Sequence, residues 1–342
     1  MKPRRETVAV GALCVAWYAL SSASNVVGKL ALTEFPFPLT VTLVQLASTV
    51  AYSAPAFAAC GVRRAPSFPP SFYIRALVPL ALAKFLTTMF SQLSIWKVPI
   101  SYAHTVKATT PLWTAALAWA LFGERQPGGV QAALLLIAGG VALASATELH
   151  FHALGLGAAL ASAALLSLQH LFSKRVMRDT SVHHLRLLQT LSTLALLPVV
   201  PLWALGEGGA VWAWRGAWAR TGALLAADGA LAWLQAVAAF SVLSRVSPLA
   251  YAVASAAKRA AVVLASLVVL RNPAPPLNLL GMGLAALGVL VYNRAKLRAR
   301  DRPLINDNNY CIIRFMKENK ADAWYKRHAR VHDHTNAPHQ QM

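Results

Sequence analysis

Hydrophobic positions in this chain come in blocks, not in the one-sided stripes of a soluble helix. AALLLIAGGVALASA (132–146) and LLGMGLAALGVLVY (279–292) are apolar on every side, and a helix of that kind is buried in a large core or in a bilayer. About 20 apolar residues in a row are enough to span the hydrocarbon layer. Cutting the chain at Pro, Gly and charge clusters predicts ten such helices, at 7–32, 38–60, 73–95, 99–121, 128–146, 153–175, 185–205, 222–243, 247–270 and 276–294. The fold class predicted is an all-α polytopic membrane protein.

The polar positions between the blocks alternate in charge. The loops MKPRRE, GVRRAPSFPPSFYIR, GERQPG, SKRVMRDTSVHHLR, SRVS and NRAKLRARDR carry 17 Lys and Arg, and the opposite loops carry 4. By the positive-inside tendency, the first set and both termini lie in the cytosol. Composition agrees: 57% of residues are hydrophobic and 13% charged, about half the charged share of a soluble domain. A net charge of +20 would suggest nucleic acid in a soluble protein, but here it marks the cytosolic loops, and no nucleic-acid partner is expected. Cys14, Cys60 and Cys311 are too far apart for a metal site or a disulfide framework, and no cofactor or metal is expected. The hydrophobic stretch after MKPRRE reads as a retained first span, and what precedes it is too short for an organellar transit peptide.

Residues 303–342 read as a polar, disordered cytosolic tail. Its His328, His332 and His334, like His183 and His184 in a basic loop, read as solvated histidines.

Positions 101–140 and 250–289 echo each other at a shift of 149: Tyr102 matches Tyr251, Pro127 matches Pro276, and Gly139 matches Gly288. Two halves of five helices, 7–146 and 153–294, must insert in opposite orientations because five is odd. Inverted repeats of this kind build secondary transporters, with the substrate site near the midplane where the halves meet.

The spans contain Lys29, Lys84, Lys107, Lys258 and Arg259 but only one clear acid, Asp228, near one end of the eighth segment. A charge at the bilayer centre costs about 2.5–3.5 kcal/mol on insertion scales, so internal ion pairs cannot neutralise the set. A wet cavity that receives an anion can, and a phosphate suits the forked donors of Arg and the point charge of Lys. Lys107 maps onto Ala256, two residues from Lys258, so both halves bring a cation to nearly the same depth. Lys107, Lys258 and Arg259 are the predicted substrate contacts. His104 lies one turn before Lys107 and reads as ligand or polar packing residue, and Lys84 as substrate-facing or structural. Lys29, near a helix end, reads as snorkelling to the interface, and Tyr102 and Tyr251 as packing residues.

Four stretches then resemble a known family: NVVGKLALTEFPFPLTVTLVQ (25–45), VPISYAHTVKATTPLW (98–113), FSKRVMRD (172–179) and the run from Val246 to Asn293. They are similar to the triose-phosphate translocator branch of the drug/metabolite transporter superfamily, most of all to animal solute carrier family 35, subfamily E. The resemblance implies ten helices in two inverted halves and strict exchange of phosphorylated solutes by alternating access. It also implies that the Lys of a His-x-x-Lys motif and an adjacent Lys-Arg pair hold the phosphate, here Lys107, Lys258 and Arg259. Other family ligand positions are altered: an Arg is Gln169, a Tyr is Gln235, and a His and a Thr are Thr88 and Ser91. Those changes count against triose phosphate and phosphoglycerate. Related solute carriers move nucleotide sugars across Golgi or endoplasmic reticulum membranes, which makes that the expected substrate class and location.

The expected function is therefore exchange of a phosphorylated organic anion, a nucleotide sugar or sugar phosphate, against a phosphate-bearing counter-substrate. Membrane lipid and the solute are the expected partners, with a homodimer left open. A scaffold or trafficking regulator that keeps the fold is the alternative, favoured by Gln169 and Gln235 and opposed by the intact cations. An enzyme is not expected, because the spans hold no paired carboxylates, metal cluster or nucleophile–base pair. A proton-coupled exporter would need Asp228 as its carrier.

Overall fold

The computed structural model describes residues 2–59, 70–180, 184–243, 245–246, 248–272 and 274–300. His183 and the tail from 303 lie outside them, as does the side chain of Tyr251. The described chain is built of helices: α1 (Lys2–Glu34), α2 (Pro38–Ala59), α3 (Pro70–Lys97), α4 (Ile100–Lys107), α5 (Thr110–Phe122), α6 (Gly128–Ala146), α7 (Ala153–Thr180), α8 (His184–Trp203, carried on through Ala204–Gly208 and Gly209–Ala213), α9 (Trp218–Leu243), α10 (Pro248–Leu270) and α11 (Pro276–Arg300). Seven of them, α1, α3, α6, α7, α8, α9 and α11, are long and apolar enough to cross a membrane. The chain is a multi-pass membrane protein.

Proline and glycine set the helix limits. Pro38, Pro70, Pro248 and Pro276 each open a helix, where the missing N–H has no intrahelical partner to lose. Gly123 closes α5 in the left-handed region, at φ 68°, which a residue without Cβ adopts freely.

Several expected boundaries move, two of them with consequences for acidic residues. The segment expected at 185–205 runs on to Ala213, although Gly206, Gly208 and Gly209 read as a loop. Its continuation carries Glu207, whose carboxylate accepts from Leu39 N (3.0 Å), Thr40 N (2.7 Å) and Thr40 Oγ1 (2.8 Å). Orphan N–H groups at the start of α2 thus find their acceptor on another helix. The next segment begins at Trp218, not 222, so Asp228 stands ten residues into α9 and away from its end.

α6 and α11 form a closely packed pair. A Cβ on Gly140 would strike the backbone of Ala285, and one on Gly281 the backbone of Ala144. Small residues let membrane helices approach this closely, where van der Waals packing replaces the hydrophobic drive. Elsewhere α1 packs on α9 and α10, α7 on α3, α4 and α5, α2 on α8 and α9, and α8 on α3. Hydrophobic clusters fill most of the interior between the helices, and a polar cavity interrupts them.

Candidate functional site

The segment expected as one helix at 99–121 is two, because Pro111 has no N–H to offer the carbonyl of Lys107 four residues back. α4 ends at Lys107 and α5 starts at Thr110. The freed Lys107 carbonyl accepts from Thr110 Oγ1 at 2.6 Å, and Arg259 Nη1 of α10 lies 3.5 Å from it, at the outer limit of a hydrogen bond. Lys107 and His104 occupy the last turn of α4, where the negative end of the helix dipole favours a cation. Thr109 Oγ1 returns to the Val106 carbonyl at 2.7 Å and Ser167 Oγ of α7 bonds the Thr110 carbonyl at 2.9 Å. The break is thus satisfied by side chains, as irregular backbone at membrane depth requires.

Lys107 Nζ donates to Ser91 Oγ of α3 at 2.6 Å and points into a polar cavity of about 230 Å³. Its walls come from α1, α2, α3, α4, α7 and α9. Thr88, Ser91, Lys107 and Gln235 line it, so the fold brings four of the residues singled out from the sequence to one place. Thr87 Oγ1, Gln92 Oε1, Asp228 Oδ1 and Gln235 Oε1 are buried and without a hydrogen-bond partner, and all four residues line this cavity. Buried polar atoms are nearly always partnered, so such a cluster marks room for a polar occupant.

His104 and Arg259 border a second, mostly apolar cavity of about 330 Å³ beside α10 and α11. Between the two cavities His104 Nε2 meets Asn25 Oδ1 at 2.8 Å. Asn25 Nδ2 is already given to the Ser21 carbonyl at 2.7 Å, so Asn25 offers His104 an oxygen and Nε2 carries the proton. Lys258, next to Arg259 on α10, lines neither cavity. Lys258 Nζ stands 5.3 Å from the centre of the Trp17 ring, within cation–π range; Trp17 itself is 2% exposed.

Other expected positions separate from this group. Gln169 on α7 lines neither cavity. Neither does Lys84, which is half-buried and whose carbonyl serves Thr88 Oγ1 at 3.0 Å. Lys29 does not snorkel: its Nζ donates to the carbonyls of Ile95 (2.6 Å), Trp96 (3.2 Å) and Val98 (3.1 Å) where α3 ends. Tyr102 is fully buried and bonds Ser145 Oγ at 2.9 Å, as a packing residue does.

Sequence reasoning missed Trp17, Asn25, Gln45 and Gln92, and it underrated Asp228. Asn25 and Gln45 begin and end the first family-like stretch, which was the available signal. Trp17 and Gln92 gave none: only packing brings α1 against α10 and aims Gln92 inward.

Known proteins can now be set beside this geometry. The profile of the Triose-phosphate Transporter family matches residues 8–293. Phosphoenolpyruvate/phosphate translocator 3, chloroplastic, of Oryza sativa subsp. japonica is 35% identical over 302 residues, 85% of this chain and 75% of that protein. Glucose-6-phosphate/phosphate translocator 1, chloroplastic, of Arabidopsis thaliana is 29% identical over 294 residues, 84% of this chain and 75% of that one. A solved structure titled only as the crystal structure of a protein covers 87% of this chain and 99% of its own, with TM-score 0.53 and 19% identity, and so shares the fold. The chain belongs to the Triose-phosphate Transporter family: it is a transporter-family protein and not an enzyme.

Proposed function

We propose that the chain is a secondary antiporter that exchanges a phosphorylated organic anion against inorganic phosphate or another phosphate-bearing solute. The observation that carries this reading is the polar cavity into which Lys107 points, with Arg259 of α10 reaching the Lys107 carbonyl behind it and Lys258 next in the chain. Among the described residues no acid forms an ion pair with Lys107 or Lys258. In the loaded state the anion supplies the missing charge, and Ser91, Thr88 and Gln235 meet the rest of the solute. The names of the relatives, translocators of phosphoenolpyruvate or glucose 6-phosphate with phosphate, support the substrate class. At about 230 Å³ the cavity is below the range of about 300–1,000 Å³ common for small-molecule pockets. That favours a compact sugar phosphate over a nucleotide sugar.

Transport proceeds by alternating access of two inverted five-helix halves, α1–α6 and α7–α11, in which α4 and α5 count as one span. Helix pairing supports this plan: α1 packs on α9 as its counterpart α7 packs on α3, α2 on α9 as α8 on α3, and α1 on α10 as α7 on α4 and α5. An empty site holds uncompensated cations that oppose closure, and a bound phosphate removes that barrier, so movement is coupled to loading. The narrower kinship with solute carrier subfamily E rests on the motif residues. The membrane is that of an internal organelle: Golgi or endoplasmic reticulum on the solute-carrier resemblance, a plastid on the names of the relatives.

The test is exchange of radiolabelled phosphate by purified protein in liposomes preloaded with phosphate. Lys107→Ala and Lys258→Ala are each expected to lower the initial rate at limiting phosphate by about tenfold to a hundredfold, the loss of a hydrogen bond to a charged group. Exchange at the wild-type rate in both variants would sink the reading and leave the scaffold alternative.

A further inference from the structure

The phosphate grip leaves one buried ionisable group of the same cavity without a task. Asp228 of α9 is 1% exposed and lines the cavity with Lys107. Its Oδ2 accepts from Gln45 Nε2 of α2 at 2.8 Å, and its Oδ1 has no partner. Among the described residues no Lys or Arg forms an ion pair with it. Across from Oδ1 stands Gly28 of α1, also a cavity residue, on which a Cβ would lie 3.1 Å from that oxygen. The absence of a side chain there leaves the carboxylate room on the side facing α1.

A buried carboxylate with a single hydrogen bond is expensive, and its remaining lone pairs call for donors. Gln92 Oε1 and Gln235 Oε1 are unpartnered on neighbouring walls, but an amide can present either end. An ionised carboxylate is acceptor-only however the amides around it are turned. The cavity therefore offers a lysine on the wall formed by α3 and α4, and a carboxyl group with one open oxygen on the wall formed by α1, α2 and α9.

We infer, resting on the transport reading above, that Asp228 determines specificity: it selects phosphorylated solutes whose remaining part carries hydroxyl groups, and it rejects those that carry a carboxylate. A hydroxyl of a polyol or sugar phosphate donates to Oδ1 while the phosphate sits at Lys107. A carboxylated phosphate brings a second anion to a carboxylate and has no proton to donate, so the pair repel where the dielectric is low. The inference runs against the names of those relatives that are phosphoenolpyruvate/phosphate translocators.

The test measures phosphate exchange in liposomes containing the full chain, inhibited by glycerol 3-phosphate or by phosphoenolpyruvate, two compact phosphates that differ in hydroxyl against carboxylate. Wild type is expected to be half-inhibited by glycerol 3-phosphate at a concentration about tenfold or more below that for phosphoenolpyruvate, and Asp228→Asn to bring the two within about threefold. If Asp228→Asn does not fold, Gly28→Ala reads the same ratio, because its methyl group crowds Oδ1 and is expected to narrow the preference. Wild type that takes phosphoenolpyruvate as well as or better than glycerol 3-phosphate overturns the inference, whatever the variants do. So does a preference that survives unchanged in a folded variant. Failure of wild type to exchange phosphate at all overturns the transport reading and this inference with it, whereas exchange without the preference overturns only the inference.

Discussion

Lys29 and Lys107 are lysines in apolar helices, and only their neighbours distinguish their roles. Lys29 Nζ is held by three carbonyls at the end of α3. Those carbonyls lack helical partners, so the lysine is a cap supplied by another helix, and its charge is spread over fixed dipoles. Lys107 has one hydroxyl partner, Ser91, and a cavity in front of it. Lys29→Met strands the three carbonyls and is expected to lower stability by about 2–3 kcal/mol, the scale of lost hydrogen bonds to a charged group, as a drop in thermal unfolding temperature in detergent. An unchanged unfolding temperature would mean that the cap is dispensable. The sequence set the two apart, Lys29 near a helix end and Lys107 in a His-x-x-Lys motif, but nothing in the flanking residues announces the carbonyls that hold Lys29. The sequence makes the burial of both legible, because a cation inside an apolar block is plain in one dimension, whereas the partner of Lys29 lies 66 residues away.

At the scale of elements, apolar blocks and proline punctuation predict most helices, since both signals act within one turn of the residue that carries them. The misses are positions where a distant contact overrides a local preference. Gly206, Gly208 and Gly209 argue for a loop, yet Glu207 ties that stretch to the start of α2 and the helix continues. Pro111 was visible, yet 99–121 was expected as one helix, so neither the break it imposes nor the use made of the freed carbonyl by Thr110 and Arg259 was foreseen. Glycine on α6 is a further case. Gly140 reads as one small residue among many, but a side chain there meets the backbone of Ala285. Gly140→Val is expected to push α6 and α11 apart at a loss of about 1–3 kcal/mol or more, the usual scale of overpacking, whereas Gly139→Ala, which meets nothing within 4 Å, is expected to be neutral. Equal unfolding temperatures for the two variants would refute the close crossing.

For the whole molecule, charge and packing speak to different questions. The surplus of Lys and Arg on one set of loops concerns insertion, so it bears on orientation whatever the helices do among themselves. It predicts that tags at the two ends of the chain are reached from the same side: in sealed vesicles an impermeant label is expected to react with both or with neither. Reaction with only one would break the even count of spans. The pairing of α1 with α9 and of α7 with α3 concerns assembly and is invisible to loop charge.

The sequence by itself determined that the chain is helical and crosses the membrane repeatedly, because transfer from water to hydrocarbon is additive along the chain and is written in composition. It also made the buried cations conspicuous, and the motifs around them matched the family to which the chain belongs. Only the tertiary structure decided which buried polar groups share a cavity. Lys107 and Ser91 come from the consecutive helices α4 and α3, and Gln235 and Asp228 from the distant α9, and their grouping depends on the angles and close approaches of packed helices. Local pattern does not encode those, because small residues permit a close crossing wherever they occur and the partner helix determines which crossing forms.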